Sequence, residues 1–177
     1  MRQLGAENNP TTETLAFMVH LLTFNCYGTH LRGAEMGSAD RTREGRGGPI
    51  EPSVALVEYG KRIMTHAESR FDPSESCLVL NAIRETCAFR GWTLLAAQVR
   101  STHVHVVVDG IVEVSCAIRD LKAYASRALN AKGVRRRWAR GANARLLRDS
   151  QAVRAVVHYV VACQGPPMAV YVAQLDF

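Results

Sequence analysis

Three consecutive stretches decide the fold: WTLLAAQV (Trp92 to Val99), RST (Arg100 to Thr102) and HVHVVV (His103 to Val108). Two short apolar runs rich in strand formers, separated by three polar residues, read as an antiparallel hairpin. Upstream, Asp72-Pro73-Ser74-Glu75 carries the signals of a helix start. Asp72 can cap, Pro73 suits the first helical position and Glu75 can reach back to close a capping box. Val79, Leu80, Ile83 and Cys87 then share one apolar stripe, and Gly91 suits the exit.

Further upstream, Thr14 to Phe24 (TLAFMVHLLTF) reads as a first strand. Asn25 to about Ser53 reads as a long glycine- and proline-marked loop. Downstream of the hairpin, a helix is expected from about Glu113 to Ala131, with Val114, Ala117, Ile118, Leu121, Ala125 and Ala128 on its buried face and Gly133 at its end. A fourth strand near Trp138 to Leu147 and a last helix from about Asp149 to Cys163 complete the order. Strand, helix, strand, strand, helix, strand, helix is the split β-α-β pattern of a ferredoxin-like fold. The expected class is α+β: an antiparallel sheet with helices on one face, plus a C-terminal helix. That last helix is apolar almost all round, so it should be covered on more than one side, with a second subunit as a cover. Residues 1–12 are expected to be a flexible tail and 13–177 one domain.

Composition excludes several classes. With 47% hydrophobic and 21% charged residues the chain is ordinary for a globular protein. It holds no apolar run of the roughly 20 residues a membrane helix needs, and MRQLGAENNPTTE has no apolar core for a signal peptide. The expected location is therefore the cytoplasm, with no membrane partner. Five scattered cysteines (Cys26, Cys77, Cys87, Cys116, Cys163) form no zinc-knuckle spacing and read as small buried apolar residues. A formal charge of +6 points to a polyanionic partner. Arg135, Arg136, Arg137, Arg140, Arg145 and Arg148 crowd around Trp138, an arrangement that gives phosphate affinity. The indole could stack on an unpaired base. A solvated arginine-rich loop is the plainer reading of the same segment.

His103 and His105 lie one residue apart on an expected strand, so both imidazoles share a face and Val104 and Val106 take the other. Their attachment points are then roughly 6 to 7 Å apart, close enough for two ring nitrogens to meet one cation. The pair supplies only two ligands, and alternating histidines on a solvated strand give the same pattern. His20, on the first strand, could face the same site. A tyrosine can attack a DNA phosphate and conserve the bond energy for rejoining, but its pKa of about 10 requires help from a nearby cation or base. Of Tyr27, Tyr59, Tyr124, Tyr159 and Tyr171, helix position alone does not distinguish Tyr159 from a core residue.

Taken together, TFNCYGTHLRG (Thr23 to Gly33), AIRETCAFRGWTLLAAQVRSTHVHVVV (Ala82 to Val108), LKAYASRALN (Leu121 to Asn130), RRWARGANARLL (Arg136 to Leu147) and VVHYVVACQG (Val156 to Gly165) resemble the single-tyrosine HUH transposases. The nearest branch is the REP-associated tyrosine transposases. The resemblance implies a dimeric ferredoxin-like domain that binds single-stranded or hairpin DNA and uses no nucleotide cofactor. It implies that His103 and His105 hold a divalent ion, Mg²⁺ or Mn²⁺, and that Tyr159 is the nucleophile. The family often places a glutamine four residues after the tyrosine as a third ligand. Here that position is Cys163 and Gln164 follows, so an unwound helix end is needed to present Gln164 to the metal.

The expected activity is cleavage and rejoining of single-stranded DNA through a 5′-phosphotyrosine. Arg100, Lys122 and Arg127 would join Arg135, Arg136, Arg137, Arg140 and Arg145 in holding phosphates, with Trp138 stacking. Three rivals remain: a DNA-binding module or domesticated transposase remnant without chemistry, a replication-initiator or relaxase-like nickase, and a metal hydrolase. The last lacks a convincing set of acidic ligands.

Overall fold

The computed structural model describes residues 18–35, 38–39, 49–133, 135–165 and 168–174. The expected tail at 1–12 and the start of the first expected strand lie outside them. The elements are β1 (Val19–Asn25), β2 (Ser38–Ala39), β3 (Pro49–Ile50), α1 (Val54–Arg62), α2 (Pro73–Arg90), β4 (Thr93–Val99), β5 (His103–Asp109), α3 (Val114–Leu129), β6 (Asn143–Leu147), α4 (Ser150–Ala162) and β7 (Ala169–Val172). Five strands form an antiparallel sheet in the order β6-β1-β5-β4-β7. Its first four strands have the ferredoxin-like order, so the α+β class read from the sequence holds.

Local chemistry accounts for the helix ends. Asp72 accepts from the Glu75 amide while the Glu75 carboxylate accepts from the Asp72 amide, closing the capping box of α2. Gly91 ends that helix in the left-handed region at φ 70°, which side chains other than glycine adopt at a cost. Glu113 and Asp149 cap α3 and α4.

Alternation along the strands sorts side chains into two layers. Leu22, Phe24, Val104, Val106 and Val108 pack with the buried faces of α2 and α3. Val19, Leu95, Ala96, Val107 and Leu147 pack on the opposite face with Val153, Val156, Val157 and Val160 of α4. Valine is a modest helix former, disfavoured by up to about 0.7 kcal/mol relative to alanine. Burying each valine contributes roughly 1.5–3 kcal/mol, so sheet packing decides that this segment is a docked helix. Only one face of α4 is covered in the single chain: Gln151, Arg154, Ala155, His158, Tyr159 and Ala162 are exposed.

Four features departed from expectation. The long loop after β1 contains the β2–β3 pair, and α1 and β7 had no counterpart in the sequence reading. The fourth strand is shorter than expected, beginning at Asn143; Trp138 makes only an isolated bridge to Cys26.

Candidate active site

Strand register builds one end of the α4 face of the sheet from polar residues. On β5, His103 sits opposite Asn25 and His105 opposite Thr23, while Thr23 also faces Asn143 across β6. The two imidazoles therefore lie side by side, with ring centroids 4.9 Å apart. Each is fixed by a threonine: Thr23 Oγ1 lies 2.9 Å from Nδ1 of His105, and Thr102 Oγ1 lies 2.9 Å from Nδ1 of His103. The tautomer that donates Nδ1–H to threonine presents the Nε2 lone pair to a ligand.

Tyr159, on the outward side of α4, places its ring 6.1 Å from that of His105 and is 46% exposed. The helix ends at Ala162, and the non-helical backbone of Cys163 (φ −104°, ψ 9°) turns the chain. That turn places Gln164 on the same cleft as both imidazoles, where its carboxamide acts to raise the pKa of each ring. Cys163 points elsewhere, its Sγ 3.7 Å from Nδ1 of His158. Arg100 donates to the Gln164 carbonyl and holds the turn in place.

Burial, above all, pushes the His105 imidazole down to about 4, with His103 and Arg100 adding to the shift and Gln164 opposing it. Burial also lowers His103, followed by Arg100 and His30. Both rings are accordingly neutral at pH 7, the form that ligates a metal. Among the described residues no group of three His, Cys, Asp or Glu could hold an ion, so a cation here would rely on two imidazoles and an amide oxygen. That set fits a divalent ion with open coordination positions, and its nitrogen content suits Mn²⁺ better than Mg²⁺.

These groups line a cleft of about 730 Å³. Its opposite wall comes from the turn after β1. Cys26 N donates to Thr102 O at 2.7 Å, and Thr29 Oγ1 donates to the same oxygen at 3.1 Å. Gly28 adopts the left-handed region (φ 78°), which side chains other than glycine adopt at a cost, and packs close to Met64 and the Glu68 backbone. His30, Arg32 and Arg70 reach the cleft along with Arg140. Sequence reasoning missed the first three. His30 and Arg32 fall within the first stretch quoted for the resemblance, whereas nothing local marks Arg70.

Several expected residues are placed differently. His20 lies on the other sheet face, opposite Val108, with its Nδ1 2.8 Å from Met18 O. Trp138 is a packing residue: its ring meets Phe24 and Phe71 edge-on at 5.1 and 5.3 Å, and its Nε1 donates to Lys122 O and Ser126 Oγ. Arg137 is buried, donating to the carbonyls of Leu129 and Gly133. Arg135 pairs with buried Glu75 at 2.7 Å. Lys122 donates to the carbonyls of Ala139 and Gly141 and is half-buried. Arg136 lies over Tyr27, and exposed Arg127 over Tyr124. Arg145 is exposed on β6, and Arg100 serves the Gln164 turn. Of the arginine segment, then, only Arg140 lines the cleft. Cys77 and Cys163 are exposed, contrary to the reading of all five cysteines as buried.

No protein-family model matches the chain, and no curated protein matches it. Among solved structures it is similar to a REP-associated tyrosine transposase bound to a REP hairpin, with a TM-score of 0.47 and 13% identity over 87% of this chain and 70% of that one. It is also similar to a candidate transposase from Deinococcus radiodurans R1, with a TM-score of 0.44 and 12% identity over 85% of this chain and 93% of that one. These overlaps are loose, so the chemistry rests on the residues of this chain. No helix among the described residues is long and apolar enough to cross a membrane.

Proposed function

We propose that the protein is a transposase-like strand transferase that cuts and rejoins single-stranded DNA with a divalent cation and a tyrosine nucleophile. The observation that carries this reading is the convergence of His103, His105, Gln164 and Tyr159 on one cleft of one chain.

In this reading His103, His105 and the Gln164 oxygen hold Mn²⁺ or Mg²⁺, which when bound supplies Lewis-acid polarisation of a non-bridging phosphate oxygen. Arg140, Arg32 and Arg70 line the cleft as phosphate-positioning groups, and Asn25 and Asn143 as neutral donors. The Tyr159 hydroxyl, with its ring open to solvent, gives up its proton and attacks phosphorus in line. A phosphorus–oxygen bond to tyrosine forms and the bond to the 3′ oxygen breaks. The 3′ oxygen leaves as a hydroxyl after taking a proton, and a 5′-phosphotyrosine remains. Attack by another 3′-hydroxyl runs the same step backwards and releases Tyr159. The uncovered apolar residues of α4, Ala155 and Ala162 beside Tyr159, support a homodimer as part of this reading; sedimentation at micromolar concentration tests it.

The experiment is incubation of labelled single-stranded and hairpin DNA with Mn²⁺, followed by denaturing electrophoresis. The parent should form a covalent adduct that EDTA prevents, and Tyr159→Phe should bind DNA without forming it. An adduct persisting in the Phe variant would remove Tyr159 from the mechanism. Among the described residues no third His, Cys, Asp or Glu joins the pair, which favours one alternative, a DNA-binding module without chemistry, for which parent and variant would both bind and neither would cut.

A further inference from the structure

Gln98 sits on β4 directly opposite His105, on the same sheet face as the imidazole pair, with Val170 of β7 on its other side. It is 0% exposed, and among the described residues neither its Oε1 nor its Nε2 has a hydrogen-bond partner. A buried carboxamide with both ends unmet is costly and uncommon, because water solvates both ends in the unfolded chain. Nothing in the packing calls for an amide there. Its neighbours along that face are Ala96, which packs under α4, and Arg100, just beyond the end of the strand.

The positions around Gln98 share one neighbour. Arg100 donates to the Gln164 backbone carbonyl, and His105 lines the same cleft as Gln164. Same-face neighbours on a strand lie about 6 to 7 Å apart and cross-strand pairs about 5 Å apart. Gln98 is thus flanked, along and across the sheet, by two residues, one holding the Gln164 carbonyl and the other lining its cleft. A cation drawing on the imidazoles and the Gln164 oxygen would occupy the ring nitrogens and leave the Gln164 NH2 group in need of an acceptor. Gln98, directly across the sheet from His105, offers an unused amide oxygen.

We propose that Gln98 is a positioning residue for the cation site: its buried carboxamide receives the Gln164 amide and fixes the Gln164 oxygen toward the cation. The inference rests on the proposed site at His103, His105 and Gln164, and it gives the unmatched Gln98 amide a partner.

The test uses the full chain and Mn²⁺ alone, with affinity measured by calorimetry and by the electron paramagnetic resonance signal of free ion. Thermal melting in EDTA is measured alongside. Gln98→Met, close to isosteric, should melt in EDTA at the parent temperature or above it, because two unmatched polar atoms are gone. Its Mn²⁺ affinity should fall about 10- to 100-fold, the usual cost of losing a group that orients a ligand. Gln98→Leu should behave alike, so that one poorly packed variant does not decide the outcome. A purely structural amide would give the reverse pattern, lower melting temperatures with affinity within two-fold of the parent, and that result overturns the proposal. If the parent itself binds no Mn²⁺, the cation site fails and this inference with it; if the parent binds and both variants bind equally, only this inference fails.

Discussion

Replacing Trp138 by leucine separates packing from base recognition more cleanly than any other single change. The indole is wedged edge-on between Phe24 and Phe71 at centroid distances of 5.1 and 5.3 Å. It also donates to Lys122 O at 3.0 Å and to Ser126 Oγ at 2.9 Å, tying the segment before β6 to α3. Each edge-on aromatic pair contributes about 0.5–1.5 kcal/mol beyond burial, and a hydrogen bond about 1 kcal/mol net. With the volume lost, Trp138→Leu should destabilise by about 3 kcal/mol, within the range for large core truncations. Urea denaturation at pH 7.5 measures this directly. Affinity for single-stranded DNA, measured by fluorescence anisotropy well below the unfolding midpoint, should stay within two-fold of the parent. A stacking tryptophan would behave oppositely: losing it costs about 1–3 kcal/mol of binding, or roughly 5- to 150-fold in Kd, with stability unmoved. That second pattern would refute the assignment of Trp138 to the interior.

Thr23→Val keeps the shape but removes the hydroxyl at Nδ1 of His105. Mn²⁺ affinity should drop about 10- to 100-fold, while the metal-free melting temperature changes little; unchanged affinity would show that the ring needs no second partner. In EDTA, stability should depend on His105 below neutrality. Burial first, and then His103, bring its folded pKa to about 4, whereas in the unfolded chain it titrates near 6.5. The unfolded state therefore takes up the proton first, so this contribution is intact above pH 6.5 and lost as pH falls towards 4. The loss reaches about 2 kcal/mol at pH 5. Urea midpoints for the parent should show it and His105→Leu should not; equal pH slopes would contradict the shift. Cys26 and Cys87, buried and pushed up to about 12 chiefly by desolvation, should resist a thiol reagent at pH 8 while exposed Cys77 and Cys163 react. Mass spectrometry of the labelled chain reads this out.

What could be read from the residues alone was what depends on near neighbours. The Asp72–Glu75 capping box, the Gly91 exit and the alternation that puts His103 and His105 on one face involve spacings of a few residues. α1 is nine residues long and, among the described residues, buries none of its side chains, so no core contact fixes its place. β7 is four residues long and owes its place to pairing with β4. The arginine segment misled because where a side chain ends up depends on distant contacts. Arg135 reaches Glu75, Arg137 caps the end of α3, and Trp138 meets Phe24 and Phe71. None of these pairings leaves a mark in local spacing. Gln164 was legible only through the possibility of an unwound helix end, which the backbone at Cys163 supplies.

That His105 and Tyr159 meet within a single polypeptide has a consequence for genetics. Two defective alleles, one lacking the phenol and the other lacking an imidazole, carry their lesions in the same place on each copy. Co-expressing them should yield no rescue, since neither copy can lend its intact half to the other.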